Sequence, residues 1–246
     1  MLDLKKIDFK GVTEIAYDVE SIKKEYGRQN GRAVCKNLKK NFFEAEYADT
    51  KEIAADLILN LIPDGATIGC GDSHTLFALN LDGRLKEKNC VAIPHLYALN
   101  THAQDSEEYG YVKIGTKQEM RELLMRYLVS DVFMLSANAI TMDGQIINVD
   151  GCGNRIAGSL YGPDQIIVVA GVNKLVKDVD AGLERIRFVA AHMNNIKYNE
   201  NLPCQATGVC MECSSARRCC NITTVIHKKP IDSEFHVIIV GEELGF

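Results

Sequence analysis

At 246 residues the chain is long enough to bury a full core, as one α/β domain or as one domain with an appendage. Hydrophobic residues at 46%, charged residues at 25% and a formal net charge of −5 describe an ordinary globular protein and give no reason to expect nucleic acid as its partner. The N-terminus lacks the apolar stretch of an export signal and no run approaches the roughly 18 apolar residues of a membrane span, so a cytoplasmic location is the expectation. Nine cysteines then read as thiols, metal ligands or redox centres rather than as a disulfide framework.

Apolar positions at helical spacing from Val12 to Phe43, interrupted by Gly27 and Gly31, predict two helices, an N-terminal arm or packing layer over residues 1–45. The α/β domain follows over 46–246. Phe43–Tyr47 is a short strand candidate, and Asp49 with Glu52 resembles the cap of a helix that Pro63 and Gly65 stop. Ala66–Cys70 then reads as a strand that Gly69-Cys70-Gly71-Asp72-Ser73-His74-Thr75 turns into a helix beginning near Thr75. Such a turn aims backbone N–H groups at one point and suits phosphate or carboxylate, with Ser73 and Thr75 as further donors. Cys90–Ile93 is a further strand, and His95 and His102 fall in a polar loop after it. Thr116-x-x-Glu119 is a capping box opening a helix over Lys117–Val129, and Asp131–Leu135 is the next strand.

The most specific stretch is Ser136–Lys177. Asp143-Gly144 between apolar runs is a hairpin signal, because the turn needs positive φ. Asp150-Gly151-Cys152-Gly153-Asn154-Arg155 combines glycines for close approach with directed donors, and the buried strand Gln165–Ala170 ends in Gly171-Val172-Asn173-Lys174. Open α/β sheets place ligands at the carboxyl ends of such strands. Asp178–Met193 reads as an amphipathic helix with Arg185 and Arg187 off its apolar face, and Thr223–Ile226 and His236–Val240 as strands returning to the main sheet.

Between them, at about 200–221, lies an insertion that holds five of the nine cysteines. Cys204, Cys210 and Cys213, in a Cys-x5-Cys-x2-Cys spacing, are followed by Cys219 and Cys220. Four of these thiolates form the kind of shell that holds an iron–sulfur cluster or, alternatively, zinc, and Arg217 and Arg218 would lower their pKa values.

Together these motifs resemble the LUD-domain (lactate utilisation protein C-like) family. The likeness rests on Gly69-Cys70-Gly71-Asp72-Ser73-x-Thr75-Leu76, Ala137-Asn138-Ala139-Ile140-Thr141-x-Asp143-Gly144, Asn148-x-Asp150-Gly151-x-Gly153-Asn154-Arg155, Gly171-x-Asn173-Lys174 and Val240-Gly241-Glu242-x-Leu244-Gly245. It implies a three-layer α/β sandwich with a mostly parallel sheet, like the ribose-5-phosphate isomerase and CoA-transferase group, and association with an iron–sulfur system that oxidises L-lactate. It also singles out Cys220 as the fourth ligand and Cys219 as spare. Asp72-Ser73-His74 stands where many relatives have Gly-Gly-Ser or Gly-Ser.

The reading that follows is a component of lactate-like 2-hydroxy acid oxidation. Its small anionic ligand sits between Gly71, Asp72, Ser73 and Thr75 on one side and Asn154, Arg155, Asn173 and Lys174 on the other. Lys174 and Arg155 would hold a carboxylate or phosphate, Lys174 and Asp143 are the candidates for catalysis, and Asp143 has the competing role of turn residue. Redox partner subunits and self-association are the expected partners. Two other readings stand beside it: a group-transfer or isomerase-type enzyme for a CoA thioester or phosphosugar with a structural zinc, and a non-catalytic module that senses a metabolite.

Overall fold

The structure is a computed structural model, and it describes residues 17–93, 116–199 and 201–246. The predicted loop around His95 and His102 lies outside these residues. Strands of the main sheet alternate with helices along the chain: α1 (Val19–Lys40), β1 (Glu44–Ala48), α2 (Lys51–Leu61), β2 (Thr67–Cys70), α3 (His74–Phe77), α4 (Asp82–Glu87), β3 (Val91–Ala92), α5 (Lys117–Tyr127) and β4 (Val132–Ser136). A hairpin β5 (Ala139–Thr141) and β6 (Ile146–Asp150), then α6 (Asn154–Leu160) and β7 (Gln165–Gly171), complete the central region.

Six parallel strands form the main sheet in the order β1-β10-β7-β4-β2-β3, where β10 is Glu234–Val240. Helices cover both faces, so its central strands are apolar on both sides. In β7, Ile167 and Val169 pack beneath α2 while Ile166, Val168 and Ala170 pack beneath α1 and α5. At about 1.5–3 kcal/mol for each fully buried aliphatic side chain, these two layers supply the dominant stabilisation. The α/β class and the mostly parallel sheet are as the sequence implies.

Three expectations are corrected. The segment from Val19 to Lys40 is one helix, not two. Gly27 lies against Val172 and Gly31 against the Tyr47 ring, so the glycines mark close packing on the sheet rather than breaks. The helix ends of the sequence reading also shift by a residue: Thr50, not Asp49, caps α2 by accepting from Ile53 N, and Asp49 instead pairs with Arg28 at 2.9 Å. Last, only β10 joins the main sheet. β9 (Ile222–Ile226) pairs antiparallel with β6 in a second sheet of order β8-β5-β6-β9, with β8 at Leu175–Val176. This small sheet obeys the period of two, with Ile140 and Ile146 facing the α1 layer and Ala139, Ile147 and Val149 facing the helix after β8.

That helix starts on the Asp178 cap, runs through α7 (Val179–Arg185), loosens into a π turn at Ile186–Ala190 and continues as α8 (Ala191–Tyr198), beyond the predicted Met193. The short α9 (Pro203–Thr207) follows it. Among the described residues no helix is long and apolar enough to cross a membrane.

Candidate functional site

β7, β4 and β2 are adjacent in the main sheet, so their carboxyl ends bring three segments distant in sequence to one place. Lys174 ends the 3-10 turn after β7, Ser136 closes β4 and Thr75 sits in α3 after β2. Lys174 Nζ donates to Thr75 Oγ1 at 2.8 Å and to Ser136 Oγ at 2.9 Å. All three side chains are buried. Among the described residues Lys174 has no carboxylate within ion-pairing distance. Burial first, then the neighbouring guanidiniums of Arg185 and Arg155, push its pKa down to about 7.

Arg155 lies across Gly71, where an added Cβ would meet its Cδ at 2.9 Å, so Gly71 gives room to a side chain rather than to a ligand's approach. Its guanidinium donates to Ser136 O at 3.1 Å, Asn138 Oδ1 at 2.9 Å and Val149 O at 2.5 Å. Those bonds tie β4 to β6 and leave Arg155 a framework role beside Lys174. Arg185 adds a second brace, donating to Asn138 O at 2.6 Å and to Asn173 O at 3.1 Å. Asn138 also receives Val149 N on its Oδ1, which makes it the hub of the network.

The other predicted ligand residues are also near this edge, in different roles. Asn173 clamps the closing segment, accepting from Leu244 N at 3.1 Å and donating to Gly245 O at 3.1 Å. Thr75 Oγ1 donates to Leu244 O, and His74 stacks near Phe246, so residues 244–246 cover the cluster. Ser73 caps α3 by accepting from Leu76 N. Asp72 Oδ2 accepts from Lys197 Nζ at 2.5 Å and from the Tyr198 hydroxyl, which fastens the β2 turn to the end of α8. Asn154 begins α6 after Gly153, whose φ of +87° only glycine adopts without strain. Asp143 stands apart, on the hairpin turn, where it accepts from Thr141 Oγ1 and from Gln145 Nε2 and is held below the usual carboxylate range by them. Cys70 is half-buried and desolvation pushes its thiol up to about 12, which disfavours the nucleophilic thiolate at neutral pH.

The cysteine segment borders the same framework. Cys204, Cys210, Cys213 and Cys220 line one cavity of about 400 Å³, with Arg218 and His192 in its wall. Asn195 Nδ2 donates to Cys204 Sγ at 3.3 Å and Arg218 Nε to Cys220 Sγ at 3.3 Å. Cys219 faces elsewhere, toward Ala191 O. Among the described residues no three His, Cys, Asp or Glu side chains converge closely enough to hold one ion. The segment is anchored on the turn that ends in Arg155: Asn221 N donates to Asp150 O at 3.1 Å, and a Cβ on Gly151 would meet Cys219 Cα at a tight 3.1 Å. Asp150 in turn accepts from the backbone N–H groups of Cys152, Gly153, Arg155 and Ile156. One rigid turn therefore separates the cysteine cavity from the Lys174 cluster.

Sequence reasoning missed Ser136, Asn138, Arg185, Lys197 and Tyr198. Ser136 and Asn138 carried a signal, as polar residues at the end of an otherwise apolar strand. Arg185 did not, because a uniform helical period points it away from the core and the π turn follows it directly.

A family model described as the LUD domain matches residues 32–240. Among solved structures the chain is similar to a DUF162 family protein from Deinococcus radiodurans, at 12% identity and a TM-score of 0.46 over 87% of this chain and 98% of that one. It is also similar to translation initiation factor eIF-2B of Pyrococcus horikoshii, at 19% identity and a TM-score of 0.40 over 54% of this chain and 50% of that one. A third, eIF2B delta from Chaetomium thermophilum, matches at 16% identity and a TM-score of 0.36 over 55% of this chain and 50% of that one. No curated protein matches.

Proposed function

The chain belongs to the LUD domain family, associated with lactate utilisation, and on that premise we propose that it is a component of organic-acid oxidation, binding a small 2-hydroxy acid beside Lys174 and an iron–sulfur cluster on Cys204, Cys210, Cys213 and Cys220. The observation that carries this reading is that both groups of residues are built onto the two sides of the Asp150–Arg155 turn. The donor set fits a cluster: four thiols line one cavity, and two of the sulfurs already accept N–H donors of the kind that stabilise cluster thiolates. Among the described residues no three ligand side chains converge on one ion-sized point, so thiols spread around a cavity suit a group of several atoms better than a single zinc. When bound, a cluster would supply one-electron storage.

Lys174 is a buried amine whose partners are neutral hydroxyls, and an arriving carboxylate would favour its charged form. The acid enters when residues 244–246 move away. Protein purified without oxygen is expected to be brown and to contain iron, and colourless protein holding zinc instead would remove the redox role. A 2-hydroxy acid should raise the melting temperature by mass action. The pocket is wrong if Lys174→Ala responds to the acid as the unaltered protein does.

A further inference from the structure

We propose that Ser136, Lys174 and Thr75 form a nucleophile, a base and an orienting group for acyl transfer, Ser136 taking the acyl group of a small thioester or activated ester. This goes beyond the oxidation reading, because a serine ester is an intermediate of group transfer. The geometry has the mark of an activated nucleophile, in which a base lies within hydrogen-bond reach of the hydroxyl and a third group holds the base. Ser136 Oγ is 2.9 Å from Lys174 Nζ, and Thr75 Oγ1 is 2.8 Å from it on another side.

Thr75 decides the direction of proton flow. Its own proton is committed to Leu244 O at 3.1 Å, so toward Lys174 it offers only a lone pair. A neutral Lys174 amine must therefore give Thr75 an N–H, which leaves its lone pair free to face the Ser136 hydroxyl. The alternative acceptor for Ser136, Ala137 O, is at 3.3 Å, long for a hydroxyl donor. Burial between two guanidiniums brings the amine's pKa to about 7, so a large fraction is unprotonated at neutral pH.

In the step itself Ser136 Oγ bonds to the acyl carbon, its proton passes to Lys174 Nζ and the bond from the acyl carbon to sulfur breaks. The leaving thiolate takes the proton from Lys174. No electrons are exchanged with an outside reagent, and water or a second nucleophile later releases the acid. With Ser136 3%, Lys174 2% and Thr75 1% exposed, water is excluded until the segment held by Asn173 lifts.

The test uses p-nitrophenyl acetate and S-acetyl-N-acetylcysteamine as probes, read by intact mass and peptide mapping. A single acetyl group on Ser136 is expected, absent from Ser136→Ala and formed about 100-fold more slowly by Lys174→Met. Asn173→Ala, which releases the closing segment, should acetylate faster. An acetyl group on Lys174 in place of Ser136 overturns the assignment, as does an unmodified Ser136 in both the unaltered protein and Asn173→Ala. Iron content and the response to 2-hydroxy acids are read separately, so failure here leaves the oxidation reading standing, and failure there leaves this one.

Discussion

The Lys174 cluster and the cysteine cavity share a turn yet are built in opposite ways. Around Lys174, Arg155 and Arg185 the hydrogen bonds run from strand to strand, and side chains fill the space between them. Around the cysteines one wall is the helix after β8 and the other is short irregular segments, the thiols line an open cavity and much of the segment's surface is exposed. The first region is organised by the protein alone. If the proposed cluster sits on those thiols, the second region would rely on it for order, as small metal-holding units do.

The largest expected effect breaks or sharpens that contrast. Structural metal sites contribute apparent binding free energies on the order of 10 kcal/mol. Stripping the proposed cluster with a chelator should therefore raise amide exchange over residues 202–221 by at least about 100-fold. The strands β4 and β7 should keep their protection. Equal protection of both regions before and after stripping would show that the cysteine segment supports itself.

The second effect tests the other region. Folded Lys174 loses its proton near pH 7, whereas the unfolded side chain keeps it to about 10.5. Between those values the unfolded state binds the extra proton, so stability rises with pH, and below about 7 the folded protein carries the full cost of a buried charge. At about 1.4 kcal/mol per pH unit that cost is on the order of 4 to 5 kcal/mol, less about 1 kcal/mol for each of the two hydrogen bonds the lysine makes. Lys174→Met should thus be more stable than the unaltered protein at pH 6 by roughly 3 kcal/mol, and the difference should vanish or reverse by pH 10. Denaturant midpoints that track in parallel across this range would mean that Lys174 does not titrate as a buried group.

How far each region was legible follows from how local its causes are. The Asp143-Gly144 turn, the Thr116 capping box and the run Gln165–Ala170 declare themselves through neighbouring residues, and each is in place. The two glycines of α1 carried the opposite message, because their reason is the Tyr47 ring and Val172, far along the chain. The sheet that β9 joins depends on pairing with β6 across about 75 residues, which no local pattern encodes. Within the site, Lys174 and Thr75 were legible as polar residues after buried strands. Their contact through Ser136 was not, since it exists only because β2, β4 and β7 are neighbours. The cysteine spacing announced a shared site, and the cavity that collects those four thiols is built from the helix after β8 as much as from the segment itself.

The smallest expected effect belongs to Asp143, which chemistry alone would admit as an acid or base. It sits on an exposed turn beside the end of α1, where Asn41 Nδ2 donates to its carbonyl at 2.9 Å. The Thr141 hydroxyl and the Gln145 amide, in that order, hold its carboxylate below the usual range. A depressed carboxylate stabilises the fold above its unfolded pKa and loses that contribution as pH falls through the folded value. Asp143→Asn keeps the shape of the turn and removes the charge, so at pH 7 it should cost only about 0.5 kcal/mol in a screened, exposed setting, and still less near pH 3. Acetylation of Ser136 and the thermal response to a 2-hydroxy acid should be unchanged in this variant. A tenfold loss in either would move the chemistry from the carboxyl edge of the parallel sheet to the hairpin, and with it the distinction between a region that reacts and one that only turns the chain.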